Sequence, residues 1–207
     1  MELKYIYWYF KKALPKKWCD LVIQEGESKN SSKGTIGGGG KKKLKLTDLD
    51  LKKQRNSNIV WLSDKWLYDE IYPFLKEANK NAGWNYQFDY SESCQFTLYG
   101  KKQFYDWHQD AWLEPYDKPF NLNYHGKIRK LSCSIILNDS KEYNGGQLEF
   151  AHNYTGRPNK DKIIKCKEIG EQGDIVIFPS FIRHRVKPVT SGTRKSLVVW
   201  TLGNPYV

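Results

Sequence analysis

The sequence predicts a mainly β protein whose N-terminal part is a helical support. Two observations carry this. From residue 94 the chain breaks into short runs rich in β-branched and aromatic residues, punctuated by Gly100, Asn144-Gly145-Gly146, Gly173 and Ser191-Gly192. Before residue 84, apolar residues recur instead at helical spacing. Eight strand-like runs in about 110 residues favour an antiparallel sandwich or barrel over βαβ units. At 207 residues the chain fits one domain, residues 1–207, large enough for a real core.

In chain order, Leu14, Trp18, Leu21 and Val22 share a helical face, and Pro15 suits a first turn, so a helix is expected over 15–26. Residues 27–45 run through Ser, Asn, Gly37–Gly40 and Lys41–Lys43 and read as a flexible surface loop. Those glycines lack the G-x-x-x-x-G-K-[ST] spacing of a phosphate loop. Leu44 to Asp50 alternates and suggests an edge strand. Ser63 is the expected N-cap of a second helix, 64–81, ended by Gly83. Its apolar stripe is Trp66, Leu67, Ile71, Phe74, Leu75 and Ala78, packed on the back of a sheet, with a kink or break at Pro73. The helical support thus covers about 14–83 and the β core about 94–203. The expected strands are 94–99, 103–110, 131–138, 147–151, 163–169, 174–179, 184–189 and 194–202. Residues 111–130 form a long aromatic connection of the kind that serves as a lid.

Composition narrows the class. No run of 18 apolar residues is present, and the first ten residues, with Glu2 and Lys4, do not resemble a secretory signal. The four cysteines form no C-x-x-C pair, which fits a reducing cytoplasm, or a host cytoplasm if the source is viral. The net charge is +11, and residues 1–55, with 14 Lys/Arg against 6 Asp/Glu, hold most of it. Such an arm could touch nucleic acid or an acidic protein, but it lacks the aromatic interleaving of a single-strand platform.

Chemistry concentrates in Gln103-Phe-Tyr-Asp-Trp-His-Gln-Asp110. On a strand, His108 and Asp110 share a face while Trp107 points away, giving two members of a 2-His-1-carboxylate metal triad. His184 follows a strongly apolar run and opens another strand, and a closed barrel can bring it to the pair. Ten residues later Arg194 opens the last strand, where a guanidinium suits a carboxylate held in bidentate fashion. The other histidines, His125 and His152, complete no metal spacing.

These residues resemble the Fe(II)/2-oxoglutarate-dependent dioxygenases, in their prolyl 4-hydroxylase-like branch. Supporting runs are Arg55-x-Ser57 before Val60-Trp-Leu62, Leu131 to Asn138, Tyr143 to Phe150, and Gly173 to Pro179. The resemblance implies a double-stranded β-helix, a jelly-roll or cupin-like barrel with helices on one side. It implies His108, Asp110 and His184 as iron ligands and Arg194 as partner of the distal carboxylate of 2-oxoglutarate. Tyr99, Ser196 and Trp200 join the cosubstrate pocket, Ser196 standing in for a tyrosine that relatives carry where Ile136 stands here. Trp200 reads equally well as barrel core. Trp112 and Tyr116 are the substrate-facing candidates beneath the lid. The implied cofactors are Fe(II), 2-oxoglutarate and O2, with ascorbate as an accessory reductant. The implied reaction hydroxylates a prolyl residue of a peptide or protein and yields succinate and CO2.

Two other readings compete. A nucleic-acid oxidative demethylase would suit the positive charge, but the second arginine of that branch is replaced by Trp200. A non-enzymatic jelly-roll binding module would not require all three ligands and Arg194. No membrane partner is expected.

Overall fold

The computed structural model describes residues 3–34, 53–111, 114–152 and 162–206. Its elements begin with β1 (Trp8–Phe10), α1 (Lys16–Ser28), β2 (Ser32–Lys33), β3 (Arg55–Asn56), β4 (Asn58–Leu62) and α2 (Lys65–Asn81). There follow β5 (Tyr90–Ser91), β6 (Cys94–Tyr99), β7 (Phe104–His108), β8 (Ile128–Ile136), β9 (Tyr143–Gly145), β10 (Leu148–His152) and β11 (Lys162–Lys165). The last are β12 (Ile175–Pro179), β13 (Arg183–Val186), β14 (Val189–Gly192) and β15 (Arg194–Gly203).

All pairings among these strands are antiparallel, and they form two facing sheets and a small two-stranded ribbon. The larger sheet runs β1-β12-β8-β15-β6-β4-β2, with β5 added to β15; the smaller runs β11-β10-β13-β7-β3; β9 pairs with β14. The eight expected strands divide four and four: β6, β8, β12 and β15 in the larger sheet, β7, β10, β11 and β13 in the smaller. That alternation of the chain between two sheets is the double-stranded β-helix the sequence implies.

The central strands of the larger sheet, β12, β8, β15 and β6, are buried on both faces. Along β15, Leu197 and Val199 face the helices, while Arg194, Ser196 and Trp200 alternate toward the barrel interior. Trp18, Cys19 and Val22 of α1 and Leu67, Ile71, Leu75 and Ala78 of α2 close the helical side against Phe96, Leu131, Cys133, Ile135 and Ile177. A second cluster, including Phe150, Val176, Phe178 and Val186, fills the space between the sheets. Gly26 lets α1 lie on the sheet, since a Cβ there would collide with the Phe96 ring.

Several expectations are corrected. The helical support contains β2, β3 and β4, which are too short to show a period. The first helix ends at Ser28, and β2 lies within the expected loop, pairing with β4. The proposed strand 44–50 lies outside the described residues. Asp64, not Ser63, stands at the N-cap of α2, without a side-chain cap bond. The helix runs unbroken through Pro73, which is exposed, so the backbone carbonyl that loses its donor faces water. Trp66 is 37% exposed and stacks edge-on with Trp18 rather than entering the core.

The N-terminal arm is tied by one buried carboxylate. Asp174 accepts from Lys11 Nζ (2.6 Å), Lys12 N (2.8 Å), Gly170 N (2.9 Å) and Glu171 N (2.8 Å). These bonds fix β1 on the edge of β12.

Candidate metal centre and active site

Three ligand-type side chains converge between the sheets. His108 and His184 stand directly opposite each other on β7 and β13, their ring centroids 4.2 Å apart. His108 Nε2 is 3.7 Å from Asp110 Oδ1, and His184 Nε2 is 3.5 Å from Asp110 Oδ2. One ligand atom from each lies within 4.8 Å of the others, the only such group of three among the described residues.

The donor chemistry fits a divalent metal. His108 Nδ1 is 2.7 Å from Asp106 O and His184 Nδ1 is 2.9 Å from Ile182 O. Each Nδ1 therefore carries the proton and donates, leaving an Nε2 lone pair aimed at the shared point. Burial, then the neighbouring His184, push His108 well below the ordinary histidine range and keep it neutral. Burial would raise Asp110, but His184, His108, Arg129 and the Ser132 hydroxyl outweigh it and hold the carboxyl at about 2. A neutral His108 imidazole, an ionised Asp110 carboxylate and the Nε2 of His184 facing the same point make a donor set that suits Fe(II).

Asp110 does not share a strand with His108. β7 ends at His108, and Asp110 lies in the bend beyond it, where Asp110 N and Ala111 N both donate to Ser180 O at 2.9 Å. The pairing of β7 with β13 also slips by one residue between His108 and Tyr105. Such a bulge re-aims side chains. Tyr105 thereby stacks on His108 at 3.4 Å and 9°, and Arg55 lies over the far face of Tyr105 at 4.5 Å. Trp107 packs under Arg185, the neighbour of His184 that alternation turns to the other face.

A second register slip, on β8 opposite Trp200 and Leu202, brings Arg129 into the site. Its guanidinium holds Glu92 through two bonds, 2.6 and 2.8 Å, and covers Trp200 at 4.0 Å. Arg129 also lies 3.4 Å from Asp110 O. Burial would lower Arg129, but its bonds and charge attraction to Glu92 raise it further, so it stays ionised. Tyr116 donates to the same glutamate at 2.9 Å and is 7% exposed. This corrects the expectation of an open substrate face: its ring is enclosed by Tyr124 and its hydroxyl spent on Glu92. Trp112 lies outside the described residues.

Arg194 is 2% exposed, faces Tyr99 across the β15–β6 ladder, and donates from Nη1 to Ser196 Oγ at 3.0 Å. Its guanidinium carbon is 5.7 Å from the Tyr99 ring, and a cavity of about 270 Å³ reaches it past Ile136 and Leu148. Trp200 lies on the barrel face of β15 beside Trp61, 6.2 Å away, and its Nε1 has no acceptor among the described residues. His125 faces Asp117 at 4.0 Å and His152 ends β10, opposite Lys162; neither joins the triad.

Sequence reasoning missed Tyr105, Glu92, Arg129, Ser132 and Ser180. Serines 132 and 134 inside an apolar strand were the available signal, because a fully buried strand carries hydroxyls only where they meet polar partners.

Comparison with known proteins agrees with this geometry. The family model described as the 2OG-Fe(II) oxygenase superfamily matches residues 94–202. A PKHD-type hydroxylase of Xylella fastidiosa (strain 9a5c) is 32% identical over 111 residues, 51% of this chain and 42% of that protein. One from Colwellia psychrerythraea is 37% identical over 70 residues, 34% of this chain and 27% of its own length. The chain thus spans less than half the length of these curated relatives. Two solved structures share the fold: a viral collagen prolyl hydroxylase from Paramecium Bursaria Chlorella virus-1 (TM-score 0.65, 19% identity, 97% of both chains), and a Pseudomonas putida prolyl-4-hydroxylase (TM-score 0.63, 17% identity, 96% of this chain and 92% of that one). With the matched segment spanning the triad, Arg194 and all eight barrel strands, the chain belongs to the 2OG-Fe(II) oxygenase superfamily.

Proposed function

We propose that this protein hydroxylates a prolyl residue of a peptide or protein, consuming 2-oxoglutarate and O2 and releasing succinate and CO2. The observation that carries the reading is the convergence of His108, Asp110 and His184 in a barrel that also buries Arg194. In this reading the three side chains hold Fe(II). When bound, the iron couples oxidative decarboxylation of 2-oxoglutarate to hydroxylation of a substrate C–H bond.

The chain's own residues have definable tasks. The Nδ1 bonds to Asp106 O and Ile182 O lock both imidazoles in one tautomer and orientation. Arg194 receives the distal carboxylate of 2-oxoglutarate, with Ser196 orienting the guanidinium and Tyr99 forming the neighbouring wall. Arg129 lies over the Trp200 ring and keeps it in place as a wall of the pocket. Trp61, 49% exposed beside Trp200, offers the flat aromatic face on which a proline ring packs. Residues 1–207 act as one catalytic domain. Cytoplasmic residence fits four buried free cysteines, and ascorbate serves as accessory reductant.

The test is mass spectrometry of a proline-containing peptide after incubation with enzyme, Fe(II) and 2-oxoglutarate. One added oxygen on proline, accompanied by succinate, is expected. The same peptide with alanine in place of proline should neither gain oxygen nor stimulate turnover; equal stimulation by both would overturn the prolyl assignment.

A further inference from the structure

The carboxylate of the triad sits where no strand supports it, so something else must hold it. The bend at Asp110 is tied to one turn, between β12 and β13. Ser180 O accepts from Asp110 N and Ala111 N, each at 2.9 Å, and the Gln109 side chain donates to Phe181 O. Ser180 N in turn donates to Lys130 O at 2.9 Å, anchoring the turn to β8. From β8, Ser132 Oγ reaches Asp110 Oδ2 at 2.7 Å, and Ser132 Oγ lies 2.9 Å from Ser180 Oγ. Both serines are fully buried.

Counting hydrogens fixes the direction of this chain. Each hydroxyl has one hydrogen to give, and an ionised carboxylate only accepts. The Ser132 hydrogen therefore goes to Asp110 Oδ2. The remaining contact can be made only by the Ser180 hydrogen, donated to Ser132 Oγ. The relay runs one way, Ser180 to Ser132 to Oδ2. It engages Oδ2 and leaves Oδ1, 3.7 Å from His108 Nε2, as the oxygen with its lone pairs uncommitted.

We propose that Ser180 is a positioning residue of the metal centre, acting through Ser132 to orient the Asp110 carboxylate so that Oδ1 is presented to the metal. This rests on the reading of His108, Asp110 and His184 as an Fe(II) site. Ser180 touches neither metal nor substrate; it holds the bend with its carbonyl and the carboxylate with its hydroxyl. Substitution of the side chain removes only the second role, which makes the two separable.

The test uses Co(II) as a probe on the purified metal-free full chain, read by its visible absorption and by titration, with no turnover required. The wild type should bind one Co(II). Ser180→Ala should bind it roughly 10–100-fold more weakly, the range for loss of a group that orients a ligand, and with an altered absorption band. Ser132→Ala should weaken binding at least as much. The double variant should be no weaker than Ser132→Ala alone, because Ser180 acts only through Ser132. A merely structural role would lower the melting temperature of Ser180→Ala while leaving affinity and absorption of the folded protein unchanged, and that result overturns the inference. So does additivity in the double variant. A wild type that takes up no Co(II) overturns the metal reading and this inference with it; wild-type uptake with an unaltered Ser180→Ala overturns this inference alone.

Discussion

At the scale of single residues, the site is made of side chains whose charge states are set by burial and by each other. His108→Ala removes one ligand from a strand end that is not part of the apolar core. Metal uptake and 2-oxoglutarate turnover should vanish while the thermal unfolding curve stays near that of the wild type; retained turnover would refute the ligand role. In the proposed pairing of Arg194 with the distal carboxylate of 2-oxoglutarate, Arg194→Ala deletes one partner of a buried charge pair, a loss of about 3–5 kcal/mol. At about 1.4 kcal/mol per decade, 2-oxoglutarate should bind at least two decades more weakly in a calorimetric titration. The convergence of His108, Asp110 and His184 was legible in the sequence because few histidines exist and their spacing is distinctive. Glu92, Arg129 and Tyr105 were not legible. Both register slips shift side chains between faces, so alternation counted along β7 and β8 assigns Tyr105 and Arg129 to the wrong side.

Among elements, the eight barrel strands could be read because each is long enough to show its composition and is bounded by turn residues. β1, β3 and β4 could not, since two to five residues carry little periodic signal, and their place is decided by partners far along the chain. The contact of α1 with β6 yields a prediction with an unusual sign. In an exposed helix interior Gly→Ala stabilises by about 1 kcal/mol. Gly26→Ala should instead destabilise by about 1–3 kcal/mol in denaturant unfolding, because its Cβ overlaps the Phe96 ring. The clasp between β1 and β12 gives a pH dependence. Burial would raise Asp174, but the bond from Lys11 and the backbone donors Lys12, Glu171 and Gly170 lower it below its ordinary 3.8. Its stabilising contribution is therefore fully present above pH 3.8 and is lost as pH falls through the folded-state value. Asp174→Asn should lose about 1–3 kcal/mol at neutral pH and flatten the acid limb of the stability curve. An acid limb identical to the wild type would show that the clasp does not couple to pH.

For the whole molecule, the position of β15 has a consequence for how the protein is made. The last strand in chain order lies inside the larger sheet, between β8 and β6, and also carries Arg194, Ser196 and Trp200. Until it arrives, β6 and β8 each keep a bare edge, the form of strand that pairs with other chains. About 95 residues separate the end of β6 from the start of β15, and about 58 separate the end of β8 from it, so at ribosomal rates of roughly 5–20 residues per second the β6 edge waits about 5–20 s and the β8 edge about 3–12 s. A chain truncated before Arg194 should accordingly accumulate as aggregate, measurable as its loss from the soluble fraction and from the monomer peak in size-exclusion chromatography. The nascent protein thus passes through a window in which it depends on being shielded, and insertion of the strand that bears the buried Arg194 is the event that closes that window.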